Sequence, residues 1–279
     1  MSQAVKAGQF LSLHNNGKLL ILPNVWNPIG ARMLQAKGYP AVATASAAIA
    51  ESLGYSDGEQ LKLDTMLDMV ARIVRSVDIP VTADFEAGYS DNIAGLQENI
   101  SRLLDTGAVG INFEDSFDDS TRLRPISEQV ERIKAVREAA DRKGIHLVIN
   151  ARADSFFAEG FASEEERIED VVTRLNAYAQ AGADCVYPVG RGDKETLQIL
   201  RKRISAPINV LATAKTASLK EMQELGINRV SFGPYLFRSL LAKLSEMQDE
   251  ILNMGGYGIV MNGILSGSDM KKYLLEGRE

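Results

Sequence analysis

The stretch LDTMLDMVARIVRSVDIPVTADFE, residues 63–86, contains the pattern from which the fold can be predicted. Its first part repeats apolar residues every three or four positions, which places them on one face of an amphipathic helix. Pro80 stops that pattern, and a short run of Val, Thr and Ala follows. Such a run is typical of a parallel strand buried on both faces. The stretch therefore predicts a helix and then a buried strand that ends in two acids, Asp84 and Glu86.

The same helix-to-strand unit recurs on both sides of this stretch. A Gly or a Pro marks each junction, because Gly adopts the left-handed conformation that ends a helix and Pro stops one. The junctions are KGYPAVATAS from Lys37, DIPVTADFE from Asp78, TGAVGINFED from Thr106, KGIHLVINARAD from Lys143, AGADCVYPVG from Ala181, SAPINVLAT from Ser205 and LGINRVSFG from Leu225. With the opening strand KLLILPNVW from Lys18, the chain has eight predicted strands.

Alternating strands and helices are compatible with a doubly wound sheet, but eight units favour a (β/α)8 TIM barrel. The length of 279 residues is near the roughly 250 of one such barrel. We predict a single barrel domain over residues 1–279, with its core at about 18–240 and a C-terminal helical extension at 241–279. Helical segments at about 235–253 and 268–276 exceed what one barrel needs, and the extra one is expected to pack on a neighbouring subunit.

The composition argues against several classes of protein. The net charge is −6, from 31 basic and 37 acidic residues, whereas a nucleic-acid surface needs a basic stripe. No apolar run approaches the roughly 20 residues that cross a membrane. The single Cys185 cannot form an internal disulfide, and its apolar strand predicts a buried small hydrophobe. We expect a cytoplasmic protein without nucleic-acid or membrane partners.

Candidate functional residues follow from the barrel itself, because the carboxyl ends of its strands face the active-site mouth. The residues at these ends are Trp26, Thr44, Ala45, Ser46, Asp84, Glu86, Glu114, Asp115, Arg152 and Asp154. Asn209 lies earlier in its strand and is a weaker candidate. Trp26 is explained equally well as a cap on the core.

Three acids of this set predict a metal site. Asp84 and Glu86 are two residues apart, so their side chains project to the same side, and Glu114 follows the adjacent strand. Converging carboxylates repel one another without a cation, and hard oxygen ligands suit Mg²⁺ or Mn²⁺. A helix cap or a loop salt bridge would explain any one of these acids alone. For Asp115 and Asp154 we predict a role in supporting the site residues or a structural role.

Arg152 lies one strand further round from Glu114. A guanidinium can bind a carboxylate, or a developing negative charge, through two parallel hydrogen bonds. An anion site beside a divalent cation suits an oxo-acid substrate held through both. The residues therefore predict a site for a small carboxylate.

These segments resemble the isocitrate lyase / phosphoenolpyruvate mutase superfamily over roughly residues 20–240. ADFEAGYS, from Ala83, is similar to the metal motif of the family, usually written D-x-D-x-G-[FY]-G. The other matching segments are PNVWNPIGARMLQAKGYPAV from Pro23, INFED from Ile111, NARAD from Asn150 and RVSFGPYLFR from Arg229. Each segment alone is a weak match, and together they are specific.

The resemblance implies a Mg²⁺ ion, with Mn²⁺ as the alternative. Asp84 would hold the ion directly, and Glu86 and Glu114 would contribute directly or through water. Asp57, in the YSDG segment, matches a family acid near the metal, and we take it as the candidate for proton transfer.

The resemblance also implies a substrate site. Ser46 and the backbone amides around it, including the position of Ala45, match the loop that binds the substrate carboxylate. Arg152 matches the substrate-binding Arg of the family, and Trp26 lies where the family has an apolar wall. Asn209 completes the set of predicted substrate-binding residues. Family members are typically homotetramers that exchange a C-terminal helix.

Departures from the family pattern restrict the reaction. The lyases carry a Lys-[Lys/Arg]-Cys-Gly-His loop after strand 4, but residues 116–129 here are SFDDSTRLRPISEQ, without Cys or His. The Lys and Asn of the mutase pattern are also missing from this loop, which we expect to determine the substrate. Glu86 replaces the usual Asp, Val189 stands where the lyases often have an acid, and Ala45-Ser46 replaces Ser-Gly.

The leading hypothesis is a Mg²⁺-dependent lyase that cleaves a C–C bond in a small 2-oxo or 2-hydroxy carboxylate through a metal-stabilised enolate. Decarboxylation of an oxaloacetate-type substrate and a retro-aldol cleavage both fit it. One alternative is a hydrolase or mutase that acts on the P–C bond of a phosphonopyruvate-like substrate. The other is a non-catalytic protein that binds a metal and an oxo acid.

Overall fold

The computed structural model describes residues 1–117 and 121–274, and it confirms the predicted parallel barrel. Its strands are β1 (Leu20–Leu22), β2 (Asn24–Val25), β3 (Val42–Thr44), β4 (Val81–Asp84), β5 (Gly110–Glu114), β6 (Val148–Ala153), β7 (Cys185–Pro188), β8 (Asn209–Leu211) and β9 (Arg229–Ser231). Each predicted helix-to-strand junction leads into one of these strands.

The strands form a ring with eight positions, because β1 and β2 share one of them. Strands β2 to β7 pair in chain order, and β1 pairs with β9, which pairs with β8. A bridge between Val186 and Ile208 joins β7 to β8. Pro23 separates β1 from β2, and it has no N–H to donate to a continuous ladder. The first strand therefore pairs on one side through β1 and on the other through β2.

Helices surround the ring. They are α1 (Gln3–Leu13), α2 (Pro28–Ala36), α3 (Ser46–Ser52), α4 (Leu63–Ser76), α5 (Ile93–Asp105), α6 (Ile126–Arg142), α7 (Glu164–Gln180), α8 (Lys194–Arg203), α9 (Leu219–Glu224), α10 (Tyr235–Leu252), α11 (Gly258–Met261) and α12 (Gly267–Lys271). In α4 the predicted apolar face is buried, with Met66, Val70 and Ile73 fully enclosed. The side chain of Ser163 caps α7 by accepting a hydrogen bond from the Glu166 N–H.

Helix α1 lies against the amino ends of the strands. Its Phe10 is fully buried and packs in a cluster with Leu20, Leu22 and Val109. The residue after the helix, His14, is also buried, and its Nδ1 lies 2.9 Å from the carbonyl oxygen of Phe10. Helix α1 therefore covers part of this end of the ring, and the predicted site residues lie at the opposite end.

The C-terminal extension differs in part from its prediction. Helix α10 matches the segment predicted at 235–253, but the segment predicted at 268–276 contains only the shorter α12, and residues 275 and 276 lie outside the described part of the chain. Helix α11 was not predicted. Arg32 of α2 donates to the carbonyl oxygens of Tyr273 and Leu274, so this extension returns to the barrel wall of its own chain.

Apolar side chains of the extension face solvent in the isolated chain. The most exposed are Leu252, Met254, Tyr257, Met261 and Ile264. A contiguous exposed apolar surface is typical of a protein–protein contact. Exchange of a helix between subunits stays a prediction. None of the helices in residues 1–117 and 121–274 combines the length and apolar character needed to span a membrane.

Candidate active site

The carboxyl ends of neighbouring strands bring the predicted acids to one mouth of the barrel. Asp84 ends β4 and Glu114 ends β5, where it pairs in register with Arg152 of β6. The N–H of Glu114 donates to the carbonyl oxygen of Glu86 at 3.0 Å, so these two acids lie at the same height. The sequence prediction that these residues lie together agrees with this arrangement.

Both carboxylate oxygens of Asp84 accept hydrogen bonds from the protein. Oδ2 accepts from the Ser46 N–H at 3.0 Å and from the Ser46 hydroxyl at 2.8 Å. Oδ1 accepts from Nδ2 of Asn112 at 3.3 Å. A carboxylate offers about four lone-pair directions, so the three bonds that Asp84 makes within residues 1–117 and 121–274 leave one free, on Oδ1. Asp84 is thus held in a fixed orientation with one position left for a further ligand.

Glu86 lies on a tight turn just after β4. Its φ is 48°, and Gly88 and Tyr89 also have positive φ, of 91° and 57°. The Glu86 carboxylate accepts from the Tyr89 hydroxyl at 2.9 Å and from the Glu59 N–H at 2.6 Å. Burial, with repulsion from Asp57 and then Asp84, raises the pKa of Glu86 to about 8. The turn therefore holds a buried carboxyl group close to two other acids.

Two side chains that the sequence prediction missed hold this turn. The guanidinium of Arg132 donates to the carbonyl oxygens of Ala87 at 2.5 Å, Ser90 at 2.9 Å and Asp91 at 3.3 Å. Nδ2 of Asn99 lies 3.0 Å from the carbonyl oxygens of both intervening residues, 88 and 89. The available signal was the position of Arg132 beside the apolar face of α6, where a charge is unexpected.

Asp57 approaches the same cluster from the segment between α3 and α4. Its Oδ1 lies 3.4 Å from the Ser46 hydroxyl, which also contacts Asp84. Burial and then the charge of Asp84 raise the pKa of Asp57. A raised pKa favours the protonated carboxyl group, which can act as an acid.

Arg152 is paired with two acids. Its Nε and Nη2 lie 2.5 and 2.9 Å from the two oxygens of Asp154, and Nη1 lies 2.6 Å from Oε2 of Glu114. We predicted that Arg152 would bind a substrate carboxylate through two parallel hydrogen bonds. In this structure the carboxylate of Asp154 accepts those two bonds. Burial raises the pKa of Glu114 well above its usual value, although the charge of Arg152 lowers it. Arg152 remains next to the acids, and its contacts within residues 1–117 and 121–274 use three of its five N–H donors.

Asp115 has the structural role predicted for it. It is fully buried and accepts from the Tyr178 hydroxyl at 2.6 Å, from Nη1 of Arg174 at 3.2 Å and from the Asp154 N–H at 3.0 Å. Burial, and next the charge of Asp154, raises the pKa of Asp115 to about 6. This network fixes the end of β6 and therefore the position of Asp154.

The remaining candidates are at two different depths. The half-buried ring of Trp26 packs with Ala45 and Phe237, and its centroid lies 5.0 Å from that of Phe237, so it forms an apolar wall at the strand ends. Asn209 is fully buried at the start of β8, and its Nδ2 donates to the Ser231 hydroxyl at 3.2 Å. Asn209 is thus deeper in the barrel than Arg152, which is near the end of β6.

The described ends of the segment 116–129, residues 116–117 and 121–129, lie beside the mouth. Residues 118–120 are outside the described part of the chain, so only its two ends are compared with the prediction that it determines the substrate. Ser116 and Leu123 form an antiparallel bridge, and the Arg124 guanidinium lies 4.3 Å from the ring centroid of Phe117. These contacts fix where the segment leaves β5 and where it enters α6.

The donor set at the mouth consists of carboxylate oxygens, which suits a hard divalent cation. Across residues 1–117 and 121–274, no three His, Cys, Asp or Glu side chains already converge on one metal position. Glu86 and Glu114 pair with protein donors, and Asp84 accepts three hydrogen bonds from Ser46 and Asn112. Burial, and then repulsion from neighbouring acids, raises the pKa of Glu86 and of Asp57, and a cation would relieve the repulsion. The residues therefore fit a hard divalent cation bound by carboxylate oxygens at this mouth.

Comparison with known proteins gives consistent matches. The model for the family described as phosphoenolpyruvate phosphomutase matches residues 10–252. A crystal structure from Burkholderia cenocepacia J2315, named as a candidate phosphonomutase, is 38% identical, with a TM-score of 0.82 over 88% of this chain and 99% of that one.

Two curated relatives are named as a lyase and a decarboxylase. The 2-methylisocitrate lyase of Aeropyrum pernix is 26% identical over 85% of this chain and 77% of its own length. The oxaloacetate decarboxylase of Pseudomonas putida is 26% identical over 77% of this chain and 73% of its own length. A phosphonopyruvate hydrolase, solved with oxalate and Mg²⁺, shares the fold at 22% identity, with a TM-score of 0.83 over 98% of this chain and 95% of that one.

Proposed function

The chain belongs to the phosphoenolpyruvate phosphomutase family, and we propose that it is a Mg²⁺-dependent lyase acting on a small 2-oxo or 2-hydroxy carboxylate. The observation that carries the proposal is the group of four acids beside Arg152 at the barrel mouth: Asp57, Asp84, Glu86 and Glu114. Such a group repels itself strongly unless a cation is present, and the neighbouring guanidinium favours an anionic substrate.

Asp84 would hold the metal, because it is fixed by Ser46 and Asn112 and keeps one lone pair free. Glu86 and Glu114 would contribute directly or through water. Mn²⁺ is the alternative ion, since it accepts the same oxygen ligands. When bound, the ion supplies Lewis acidity toward a carbonyl oxygen of the substrate.

The chain's own groups would complete the site. The free donors of Arg152 and the amides around Ser46 would bind the carboxylate and the developing negative charge. Trp26 and Ala45 would form the apolar wall, and Asn209 would contact the substrate from below. Cleavage of the C–C bond between the carbons α and β to the carbonyl would release CO2 or a carbonyl compound and leave an enolate that needs a proton. Asp57 is the proton donor that we propose, because its Oδ1 lies 3.4 Å from the Ser46 hydroxyl, beside the acids at the mouth.

The choice of C–C cleavage rests on the relatives and on the loop after β5. Relatives named as 2-methylisocitrate lyase and oxaloacetate decarboxylase cleave C–C bonds. The segment 116–129 lacks the Cys and His that the superfamily lyases carry there, so an acid/base step by that route is unsupported. We therefore favour an oxaloacetate-type decarboxylation or a retro-aldol cleavage with another proton donor.

P–C bond cleavage is the second candidate. It is supported by the 38% identity to the protein named as a candidate phosphonomutase. Against it stands the segment 116–129, which lacks the Lys and Asn of the mutase pattern.

Product detection separates the two reactions. Purified protein with Mg²⁺ would be incubated with oxaloacetate, with methylisocitrate and with phosphonopyruvate, and products followed by ¹H and ³¹P NMR. Pyruvate formed from a C–C substrate above the rate without protein supports the proposal. Phosphate or phosphoenolpyruvate formed from phosphonopyruvate alone would replace it with the P–C reaction. No turnover, with oxalate still binding, would indicate a non-catalytic binder.

We also propose that the extension after residue 240 joins subunits of a homotetramer. Its exposed Leu252, Met254 and Tyr257 are the support, because water-exposed apolar groups of this size are usually covered by a partner. Light scattering coupled to size-exclusion chromatography would measure the mass, and a monomer at micromolar concentration would contradict the proposal.

A further inference from the structure

Arg229 is a buried cation in the interior of the barrel. It begins β9, and its side chain is inaccessible to solvent. Within residues 1–117 and 121–274, its Nε and Nη1 atoms have no hydrogen-bond partner. Burying a charge without full pairing is unfavourable for folding. A buried polar group without a partner therefore calls for an explanation, and a role in function is one.

One hydrogen bond links Arg229 to Asn112 of β5. Nη2 of Arg229 lies 3.1 Å from Oδ1 of Asn112, and the same oxygen accepts from Nδ2 of Asn150 at 2.7 Å. Two donors on one oxygen determine which end of the amide is the carbonyl. The amide nitrogen of Asn112 must therefore point away from Arg229, toward the barrel mouth.

That nitrogen contacts Asp84. Nδ2 of Asn112 lies 3.3 Å from Oδ1 of Asp84, the oxygen with the free lone pair. The chain of contacts is thus Arg229 to Asn112 to Asp84, and it runs from the barrel interior to the acids at the mouth. Groups that hydrogen-bond to a metal ligand orient that ligand and tune its affinity.

We propose that Arg229 is a positioning residue for the metal site, acting through Asn112 on the carboxylate of Asp84. The inference rests on the proposed function, in which Asp84 holds the metal. Arg229 does not touch the substrate or the metal in this scheme. Its contribution is to keep the Asn112 amide in the one orientation that donates to Asp84.

The charge of Arg229 would change the metal affinity in the opposite direction. A buried positive charge repels a divalent cation, so charge alone would weaken metal binding, and removal of Arg229 would then tighten it. Orientation through Asn112 predicts weaker binding after removal. The direction of the change in metal affinity therefore separates the two effects.

The test is Mn²⁺ binding to the full-length protein, measured by the EPR signal of free Mn²⁺, which needs no turnover. We expect Arg229→Met to weaken binding about 10- to 100-fold, as for other groups that support a metal ligand. Its melting temperature without metal should stay equal or rise, because an unpaired buried charge is removed. If Arg229 has only a structural role, Arg229→Met should lower the stability of the protein and leave its Mn²⁺ affinity unchanged.

Asn112→Leu removes the middle residue of the same series of contacts. It is the variant to measure if Arg229→Met does not fold. We expect it to weaken Mn²⁺ binding to a similar extent, and the double variant to bind no more weakly than Asn112→Leu alone, since both act through one contact. Arg137→Met is the control, because that arginine donates to the carbonyl oxygens of Leu147 and Gly182 outside the mouth. Its Mn²⁺ affinity should not change.

The outcomes distinguish this inference from the proposed function. If wild type binds Mn²⁺, Asp84→Asn does not, and Arg229→Met binds as well as wild type or better, the metal site stands and the role of Arg229 is refuted. If wild type fails to bind Mn²⁺, or Asp84→Asn binds it equally well, the metal site itself is refuted and the role of Arg229 with it.

Discussion

Arg152 and Asp154 form a two-point ion pair, with Nε and Nη2 of the guanidinium 2.5 and 2.9 Å from the two carboxylate oxygens. Asp154 is fully buried, and Asp115 accepts a hydrogen bond from its backbone N–H. The guanidinium is therefore oriented by the protein before any substrate arrives. A side chain that is already oriented lowers the activation barrier of a reaction, because that orientation does not have to be reached on the way to the transition state.

The first prediction concerns this pair. We expect Arg152→Lys to lower turnover of a confirmed substrate about 10²-fold, because a Lys ammonium cannot keep a two-point pair with Asp154 and still present donors at the mouth. Arg72→Lys is the control, since Arg72 forms an exposed pair with Asp68 on α4. Steady-state kinetics would measure both variants, and unchanged turnover in Arg152→Lys would contradict the proposed role.

A second prediction concerns the turn that carries Glu86. We expect Arg132→Met to lower the free energy of unfolding by about 3 kcal/mol, because three carbonyl oxygens lose a charged donor. Urea denaturation would measure the change. Arg142→Met is the control, because Arg142 is exposed in the last turn of the same helix. Equal stability of the two variants would show that Arg132 does not hold the turn.

A third prediction tests the network under β6. Tyr178→Phe should destabilise the protein by about 1–3 kcal/mol, because the buried carboxylate of Asp115 loses the donor at 2.6 Å. Tyr257→Phe, at a site 77% exposed, should be neutral. Thermal and urea unfolding would compare the variants. A neutral Tyr178→Phe would mean that Arg174 and the Asp154 N–H satisfy Asp115 without the phenol.

A fourth prediction concerns pH and His14. Burial lowers the pKa of His14 from 6.5 to about 4. Between these values the unfolded chain binds a proton that the folded chain does not, so stability falls as pH falls from 6.5 to about 4. The full effect of His14 is about 3 kcal/mol. The difference in unfolding free energy between wild type and His14→Leu should shift by this amount across the window. Parallel pH profiles would refute it.

The barrel could be predicted because its signals are local. Each strand follows a Gly or Pro junction within a few residues, as at Pro80 before β4, and strand ends lie at the mouth by the geometry of the fold. Asp84, Glu86, Glu114 and Arg152 were therefore predicted together from their positions alone.

The supporting contacts could not be predicted, because they join residues far apart in sequence. Arg229 and Asn112 are separated by 117 positions, and strand alternation shows that each faces inward without showing what it touches. The same holds for Arg132, whose partners at 87–91 are about 40 residues away. Arg152 was predicted to bind a substrate carboxylate through two hydrogen bonds. Asp154, two residues along the chain, already accepts them.

The most direct test of the account is the initial rate of pyruvate formation from oxaloacetate, corrected for the rate without protein. It would be measured in wild type with Mg²⁺, in wild type with EDTA, in Asp84→Ala and in the surface control Asp68→Ala. The account predicts catalysis only in wild type and Asp68→Ala with Mg²⁺. Equal rates with EDTA or in Asp84→Ala would contradict a metal-dependent lyase centred on Asp84.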